Sequence, residues 1–150
     1  MISEFNSLSD SEIELMFKAP VLACILIAGA DGEIDRKEIQ GAIEFITKKQ
    51  KKAQPNMLEF YREVGKDFED KFKIVLQSYP AKPEQRSQMI AEELAGLNKI
   101  FGSRRNKKFR FGFIHVFIKE LIKLFFANTD KARCKTEIVH AYKTVFRHFM

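Results

Sequence analysis

The sequence has few of the residues that form disulfides or bind zinc. Its 150 residues include two cysteines, Cys24 and Cys134, and three histidines. The cysteines form no CxxC pair, and Cys24 lies inside an apolar run, which favours reduced structural thiols. The histidines form no HExxH pair, and we expect them on helix faces; they are His115, His140 and His148. Because Cys134 and His140 also lack zinc-site spacing, the sequence argues against both a disulfide framework and a zinc centre.

The sequence also lacks a long hydrophobic run. The longest uninterrupted one, Val21 to Ala30, is about half of the roughly 20 residues that a membrane span needs. A longer Phe-rich stretch, 111–126, is interrupted by polar and charged residues, which are His115, Lys119, Glu120 and Lys123. Residues 1–10 resemble neither a signal peptide nor a lipidation start. We therefore expect a cytoplasmic protein with no transmembrane segment.

Familiar catalytic motifs are missing as well. The sequence has no Gly-rich phosphate loop, no Gly-x-Ser-x-Gly elbow and no Cys–His pair at the spacing of a known enzyme family. We therefore expect a protein that is not an enzyme. An enzyme of unrecognised type remains an alternative, because catalytic residues can converge from distant positions.

What the sequence does have is the composition of a globular domain with an uneven charge distribution. Hydrophobic residues make up 45% of the chain, charged residues 31%, and fifteen residues are Phe. This composition predicts one domain over residues 1–150. Residues 1–40 hold three Lys/Arg against eight Asp/Glu, whereas residues 41–150 hold 23 against 12. The protein should therefore be acidic at one end and basic at the other.

The basic residues form two clusters. One covers residues 48–52, and the other comprises Arg104, Arg105, Lys107, Lys108 and Arg110. Such clusters can bind nucleic acid or an anionic membrane surface, and the second cluster is our candidate anion-binding site. They can equally be solvated helix ends and loops. We favour that interpretation for 48–52, because cations at a helix end complement the negative pole of its dipole.

Apolar residues recur with helical periodicity along the first half of the chain. Ser9 or Asp10 can cap a short helix that runs to about Lys18, and Pro20 suits the first turn of a second helix. That helix should end between Gly29 and Gly32. The next should begin at Asp35 and stop before Pro55, with an apolar stripe of Ile39, Ala42, Ile43 and Ile46.

The same periodicity continues to the end of the sequence. Spacings of three and four predict one long amphipathic helix through Met57, Tyr61, Val64, Phe68, Phe72, Val75 and Tyr79. After Pro80 and Pro83, a further helix should carry Ile90, Leu94, Leu97 and Phe101 and close at Gly102. Residues 106–128 are apolar around most of the circumference, so we expect a central helix there. A last helix should carry Ile138, Tyr142, Val145 and Phe149, and no segment alternates as a strand does.

The chain also resembles itself after a shift of 99 positions. Six residues then face identical ones without a gap: Leu22, Ala28, Asp31, Glu38, Ile39 and Ala42 face Leu121, Ala127, Asp130, Glu137, Ile138 and Ala141. We read this as a degenerate helix-loop-helix duplication with halves at about 19–50 and 107–149, separated by helices over 57–101. The predicted fold is an all-α bundle of about six or seven helices with a pseudo-two-fold repeat.

The connection between the first two repeat helices carries the most distinctive motif. Its sequence, Ala28-Gly-Ala-Asp-Gly-Glu-Ile-Asp-Arg-Lys-Glu38, resembles the signature of the TerB-like family, which is named for tellurite-resistance proteins. That family also includes the helical domain of membrane-attached J-domain co-chaperones. The resemblance implies a two-repeat helical bundle that acts as a non-catalytic module in stress-response systems, bound to a protein partner and peripheral to the inner membrane.

The resemblance further implies divalent-cation binding through acidic residues. On this chain those would be Asp31, Glu33, Asp35 and Glu38, and oxygen ligands suit calcium or magnesium. The second copy departs from the signature at Lys131, Arg133 and Cys134, which puts a second site in doubt. A structural interpretation needs no metal, because Gly32 can make a turn while Asp35 and Glu38 form a capping box. We expect capping more than cation binding.

Overall fold

The computed structural model describes residues 5–29, 32–53, 55–102 and 143, and these residues are helical with no strand among them. The helices are α1 (Asp10–Ala28), α2 (Arg36–Lys52), α3 (Pro55–Gly65), α4 (Phe68–Gln77), α5 (Pro83–Ala95) and α6 (Leu97–Gly102). The predicted all-α class is confirmed for the described residues. The number of helices in the whole chain stays a prediction.

Helix α1 lies at the centre of the described helices and contacts each of the other five. Every residue from Ala19 to Gly29 is buried, so the second half of α1 is covered on all sides. Cys24 lies within this half as a free thiol. Its burial raises the pKa of the thiol far above the ordinary value, because the thiolate would lose its hydration. Cys24 therefore has the structural role that the sequence predicts.

The prediction of two helices on either side of Pro20 is wrong. A single 19-residue helix contains Pro20 in its interior. Proline has no amide hydrogen for the carbonyl one turn earlier, and this normally costs about 3 kcal/mol in a helix. Pro20 is itself buried. Packing of the surrounding apolar residues in the core therefore outweighs the local preference of proline for a helix start.

The long helix predicted from Met57 to Tyr79 is also wrong, because the chain forms α3 and α4 with a break at Lys66 and Asp67. Asp67 has φ 51° and ψ 36°, which is the left-handed region that ends a helix. Gly65 has no side chain at a point where the Gln50 amide of α2 would collide with a Cβ atom. The apolar spacing continues across the break, which is why periodicity alone does not reveal it.

A smaller difference occurs after Pro83. The predicted helix through Ile90, Leu94 and Leu97 is divided at Gly96 into α5 and α6, and these three residues are buried as expected. The Gly96 amide donates to the carbonyl oxygens of Glu93 and Leu94, so the chain turns more tightly here than in an α-helix.

The sequence prediction for α2 is confirmed. The helix ends at Lys52, before Pro55, and its apolar stripe faces the core: Ala42 and Ile46 are buried, while Ile39 and Ile43 are half-buried. The remaining helix predictions lie outside the described residues. These are the central helix over 106–128, the last helix and the second repeat half, of which only Lys143 is described, as a helical residue. The duplication therefore stays a prediction.

Candidate functional site

The site begins at the acidic α1–α2 connection, residues 29–35, where the predicted capping box is present. The Glu38 amide donates to Asp35 Oδ1 at 2.8 Å, and the Asp35 amide donates to Glu38 Oε2 at 2.9 Å. Each carboxylate therefore satisfies an amide at the start of α2 that has no partner within the helix. Asp35 and Glu38 hold a helix end, as the structural interpretation predicts.

Gly32 makes the predicted turn. Its amide donates to the Gly29 carbonyl oxygen at 3.0 Å, and its φ of 103° is one that residues with side chains rarely adopt. A Cβ atom on Gly32 would lie 3.6 Å from Pro83 Cγ. The connection therefore runs against the beginning of α5.

The proposed cation ligands are only partly described. Asp31 lies outside the described residues, Glu33 and Asp35 are exposed, and Glu38 is half-buried. Among the residues that the structure describes, no three His, Cys, Asp or Glu side chains are grouped to hold a metal ion. Asp35 and Glu38 form the cap of α2. The cation site stays a prediction.

Arg86 of α5 is a residue that the sequence analysis missed. It is 7% exposed, and its buried Nη2 atom has no hydrogen-bond partner among the residues that the structure describes. Burial lowers the pKa of the guanidinium group, which nevertheless remains charged at neutral pH. Nη2 lies beside Gly29, where a Cβ atom would approach it to 2.6 Å. The last turn of α1 has no basic residue of its own, so Arg86 places a positive charge at the negative end of that helix.

A pattern in the sequence could have indicated that Arg86 faces inward. The residue precedes Ile90 by four positions and Leu94 by eight, and both of these are buried. Arg86 therefore occupies the apolar stripe of α5. From the sequence alone, Arg86 looks exposed because its neighbours Glu84, Gln85 and Gln88 are polar and resemble a solvent-facing helix start.

A second polar cluster joins α1, α5 and the segment after α4. Lys18 Nζ lies 2.7 Å from Glu93 Oε1 and 5.6 Å from the centre of the Tyr79 ring, and the Tyr79 hydroxyl donates to Glu93 Oε2. Burial alone would lower the pKa of Lys18, but the hydrogen bond and the charge of Glu93 outweigh it and raise that pKa. Burial and Glu93 also raise the pKa of Tyr79.

The first basic cluster lies at the end of α2. Lys48, Lys51 and Lys52 are exposed and form no ion pair in the part of the chain that the structure describes, whereas Lys49 is half-buried. Its Nζ atom lies 5.6 Å from the centre of the Phe45 ring and 6.0 Å from that of Tyr61. The second cluster, 104–110, lies outside the described residues.

An open concavity of about 470 Å³ lies on the polar face of α2. Its wall is formed by Arg36, Lys37, Gln40, Gly41 and Glu44. Nothing lies within 4 Å of the position that a Cβ atom on Gly41 would occupy. The fold of the described residues therefore gives no packing reason for a glycine in the interior of this helix.

Comparisons with protein-family models, curated proteins and solved structures found no match for the chain. The TerB-like resemblance consequently rests on the residues of the α1–α2 connection. In the described residues, no helix combines the length and apolarity required to cross a membrane.

Proposed function

We propose that the chain is a non-catalytic, TerB-like binding module whose partner is another protein. The proposal rests on the hydrogen bonds that Asp35 and Glu38 form at the start of α2. Each of them accepts a hydrogen bond from the other's main-chain amide. The pair therefore supports the end of a helix, whereas a general acid and base would have to face a substrate.

The best-supported binding surface is the lysine face at the end of α2, defined as Lys48, Lys51 and Lys52. These residues are spaced by three and four positions, so they share one side of the helix. All three are exposed and form no ion pair with described residues. Unpaired lysines on one face favour an acidic surface on the partner.

Chemical cross-linking followed by affinity capture from cells that express the protein tests this function. The test variant changes Lys48, Lys51 and Lys52 to Glu, and the control makes the same charge change at the exposed residues Lys37, Lys82 and Lys99. We expect a protein partner that the wild type and the control retain and the test variant loses. Retention by all three would show that the lysine face is not the binding surface, and no specific partner at all would contradict the module.

Binding to nucleic acid or to an anionic membrane is a second candidate, favoured by the same lysine face together with 104–110. Its distinguishing property is dependence on salt, because bound phosphates release counterions as lysines replace them. We expect affinity for a DNA duplex or for phosphatidylserine vesicles to fall steeply between 50 and 200 mM salt, values at which such losses are usually measured. Binding that is unaffected by salt would exclude this candidate.

A weak divalent-cation site at Asp31, Glu33, Asp35 and Glu38 remains a further proposal. The TerB-like signature and the acidity of the connection support it. If these carboxylates do bind calcium, a short loop that offers few oxygens should hold it with a dissociation constant of roughly 10⁻⁴ to 10⁻³ M. A titration with calcium that is followed by isothermal calorimetry tests this, and the absence of heat at millimolar calcium would remove the site.

A further inference from the structure

The first half of α2 carries a surface that the proposed function leaves unused. This polar strip consists of Lys37, Gln40, Gly41 and Glu44, which border the open concavity of about 470 Å³. Spacings of three, four and seven residues place the four positions within about 100° of the helix circumference. Lys37, Gln40 and Glu44 are exposed, and Gly41 is half-buried. The polar strip is therefore one continuous surface about two helical turns long.

Gly41 is an unusual residue for its place in the polar strip. It lies in the interior of a 17-residue helix, where glycine lowers stability relative to alanine because it loses more backbone entropy on folding. A Cβ atom on Gly41 would meet nothing within 4 Å, so the described fold does not require the missing side chain. A helix surface without a side chain lets another backbone approach closely. Gly41 therefore suits contact with a helix from outside the described fold.

The charges of the polar strip indicate which helix fits it. Lys37 and Glu44 have opposite charges at its two ends, and neither forms an ion pair with a described residue. A copy of the strip that lies antiparallel to it brings Lys37 of each chain opposite Glu44 of the other. Gly41 of each chain then lies opposite Gln40 of the other, at the centre of the pair. A parallel copy in the same register would bring like charges together, so the antiparallel arrangement is the complementary one.

We propose that the polar strip of α2 is a self-association surface, on which two copies of the chain pack antiparallel about a two-fold axis with Gly41 at the crossing. A two-fold axis requires one surface to complement itself, and the charges of the strip meet this condition. One helix face per chain is smaller than the roughly 800 Å² per partner that stable interfaces bury, so the dimer is weak and forms only at high protein concentration. In dilute solution the chain is a monomer and the strip is open to solvent.

Sedimentation velocity of the full chain, from about 10⁻⁶ to 10⁻³ M protein, tests the surface. We expect the wild type to pass from monomer to dimer over this range. Lys37→Glu and Glu44→Lys should each weaken dimerisation by about tenfold or more, because each places like charges opposite each other twice in the dimer. The controls Lys99→Glu and Glu92→Lys make the same charge changes at exposed positions of α6 and α5, and they should dimerise as the wild type does.

An equimolar mixture of Lys37→Glu and Glu44→Lys tests the antiparallel arrangement. In a mixed dimer both contacts again join opposite charges, so the mixture should recover the dimerisation that neither variant shows alone. Gly41→Leu should prevent dimerisation without unfolding the chain, because its side chain points into open space in the monomer. A wild type that stays monomeric at about 10⁻³ M would overturn the proposal, and so would a mixture that recovers no dimer or a dimer that tolerates Gly41→Leu.

The self-association surface does not depend on the proposed function, because the lysine face lies further along α2 and is not part of the polar strip. The control variant of the capture experiment includes Lys37→Glu. It should therefore lose the dimer and still retain the protein partner, so that failure of one surface can be told from failure of the other.

Discussion

At the scale of single residues, Gly29 and Gly41 occupy opposite environments. A Cβ atom on Gly29 would lie 2.6 Å from Arg86 Nη2, whereas one on Gly41 would meet nothing within 4 Å. Gly29→Ala should therefore destabilise the protein by about 1–3 kcal/mol through overpacking. Gly41→Ala should stabilise it by roughly 0.5–1 kcal/mol, because alanine loses less entropy in a helix.

Urea unfolding of the two variants measures both changes. The cost of Gly29→Ala should shrink when Arg86 is also changed to Met, since the colliding atoms are then absent. Equal effects of the two alanine substitutions would contradict this account of the glycines. A destabilising Gly41→Ala would show that another surface packs against the polar face of α2.

Asp67 is the second residue with a strong local effect. It has φ 51°, a conformation that glycine adopts without strain and that β-branched residues strongly disfavour. Asp67→Val should lower the free energy of unfolding by about 1–2 kcal/mol. Asp67→Gly should raise it by about 1 kcal/mol at most, because the flexible unfolded chain offsets part of the gain. Denaturation in urea distinguishes them, and a neutral Asp67→Val would mean that α3 and α4 are one helix.

At the scale of secondary-structure elements, the cluster of Lys18, Tyr79 and Glu93 connects α1 to α5 and to the end of α4. The pKa values of Lys18 and Tyr79 are both raised in the folded protein. In the folded protein, Lys18 and Tyr79 therefore stay protonated at a pH at which the unfolded chain loses these protons. The contribution of the two groups to the free energy of unfolding is fully present below about pH 10, and it is lost as the pH rises through their pKa values in the folded protein.

Urea unfolding between pH 8 and 11 tests this alkaline loss. The free energy of unfolding of the wild type should fall above about pH 10, and Glu93→Gln should show a weaker fall because it lacks the carboxylate that raises both pKa values. Identical slopes for the two proteins would show that the cluster makes no contribution to the pH dependence.

The elements also show how far sequence reasoning reaches. Local signals predict a cap at Ser9 or Asp10, of which the structure uses Ser9, the Asp35 cap, a helix end within 29–32 and the apolar stripe of α2. They succeed because capping and periodicity depend on neighbours within a few residues. They fail at Pro20 and Asp67. At Pro20 the decisive packing comes from the core around α1, and at Asp67 the chain adopts a left-handed conformation; no local pattern contains either feature.

The candidate site follows the same division. The capping pair can be read from a spacing of three residues, whereas Arg86 meets Gly29 across 57 positions of the sequence. A contact between residues so far apart in the sequence depends on the packing of α5 against α1. The only local indication of it is that Arg86 lies in the apolar stripe of α5. Tertiary structure is therefore needed to find the charged group beside the acidic connection.

At the scale of the whole molecule, the described helices surround α1. The C-terminal end of α1 leads into the acidic connection and lies beside Arg86 of α5. The same few residues have two competing uses. In the cap, Asp35 and Glu38 each accept one amide hydrogen bond. A cation site requires several carboxylates to converge, and these repel one another until a metal binds. The two uses predict different responses to calcium, because only binding to the folded state raises stability by mass action.

Thermal unfolding of the wild type, Asp35→Ala and Asp31→Ala in millimolar calcium, in magnesium and in chelator is the most direct test of the structural role. We expect coincident wild-type curves in all three conditions. We also expect Asp35→Ala to lose about 0.5–2 kcal/mol of stability in each of them, through loss of the cap. A melting temperature that calcium raises in the wild type but not in Asp31→Ala would contradict the account and establish the connection as a cation site.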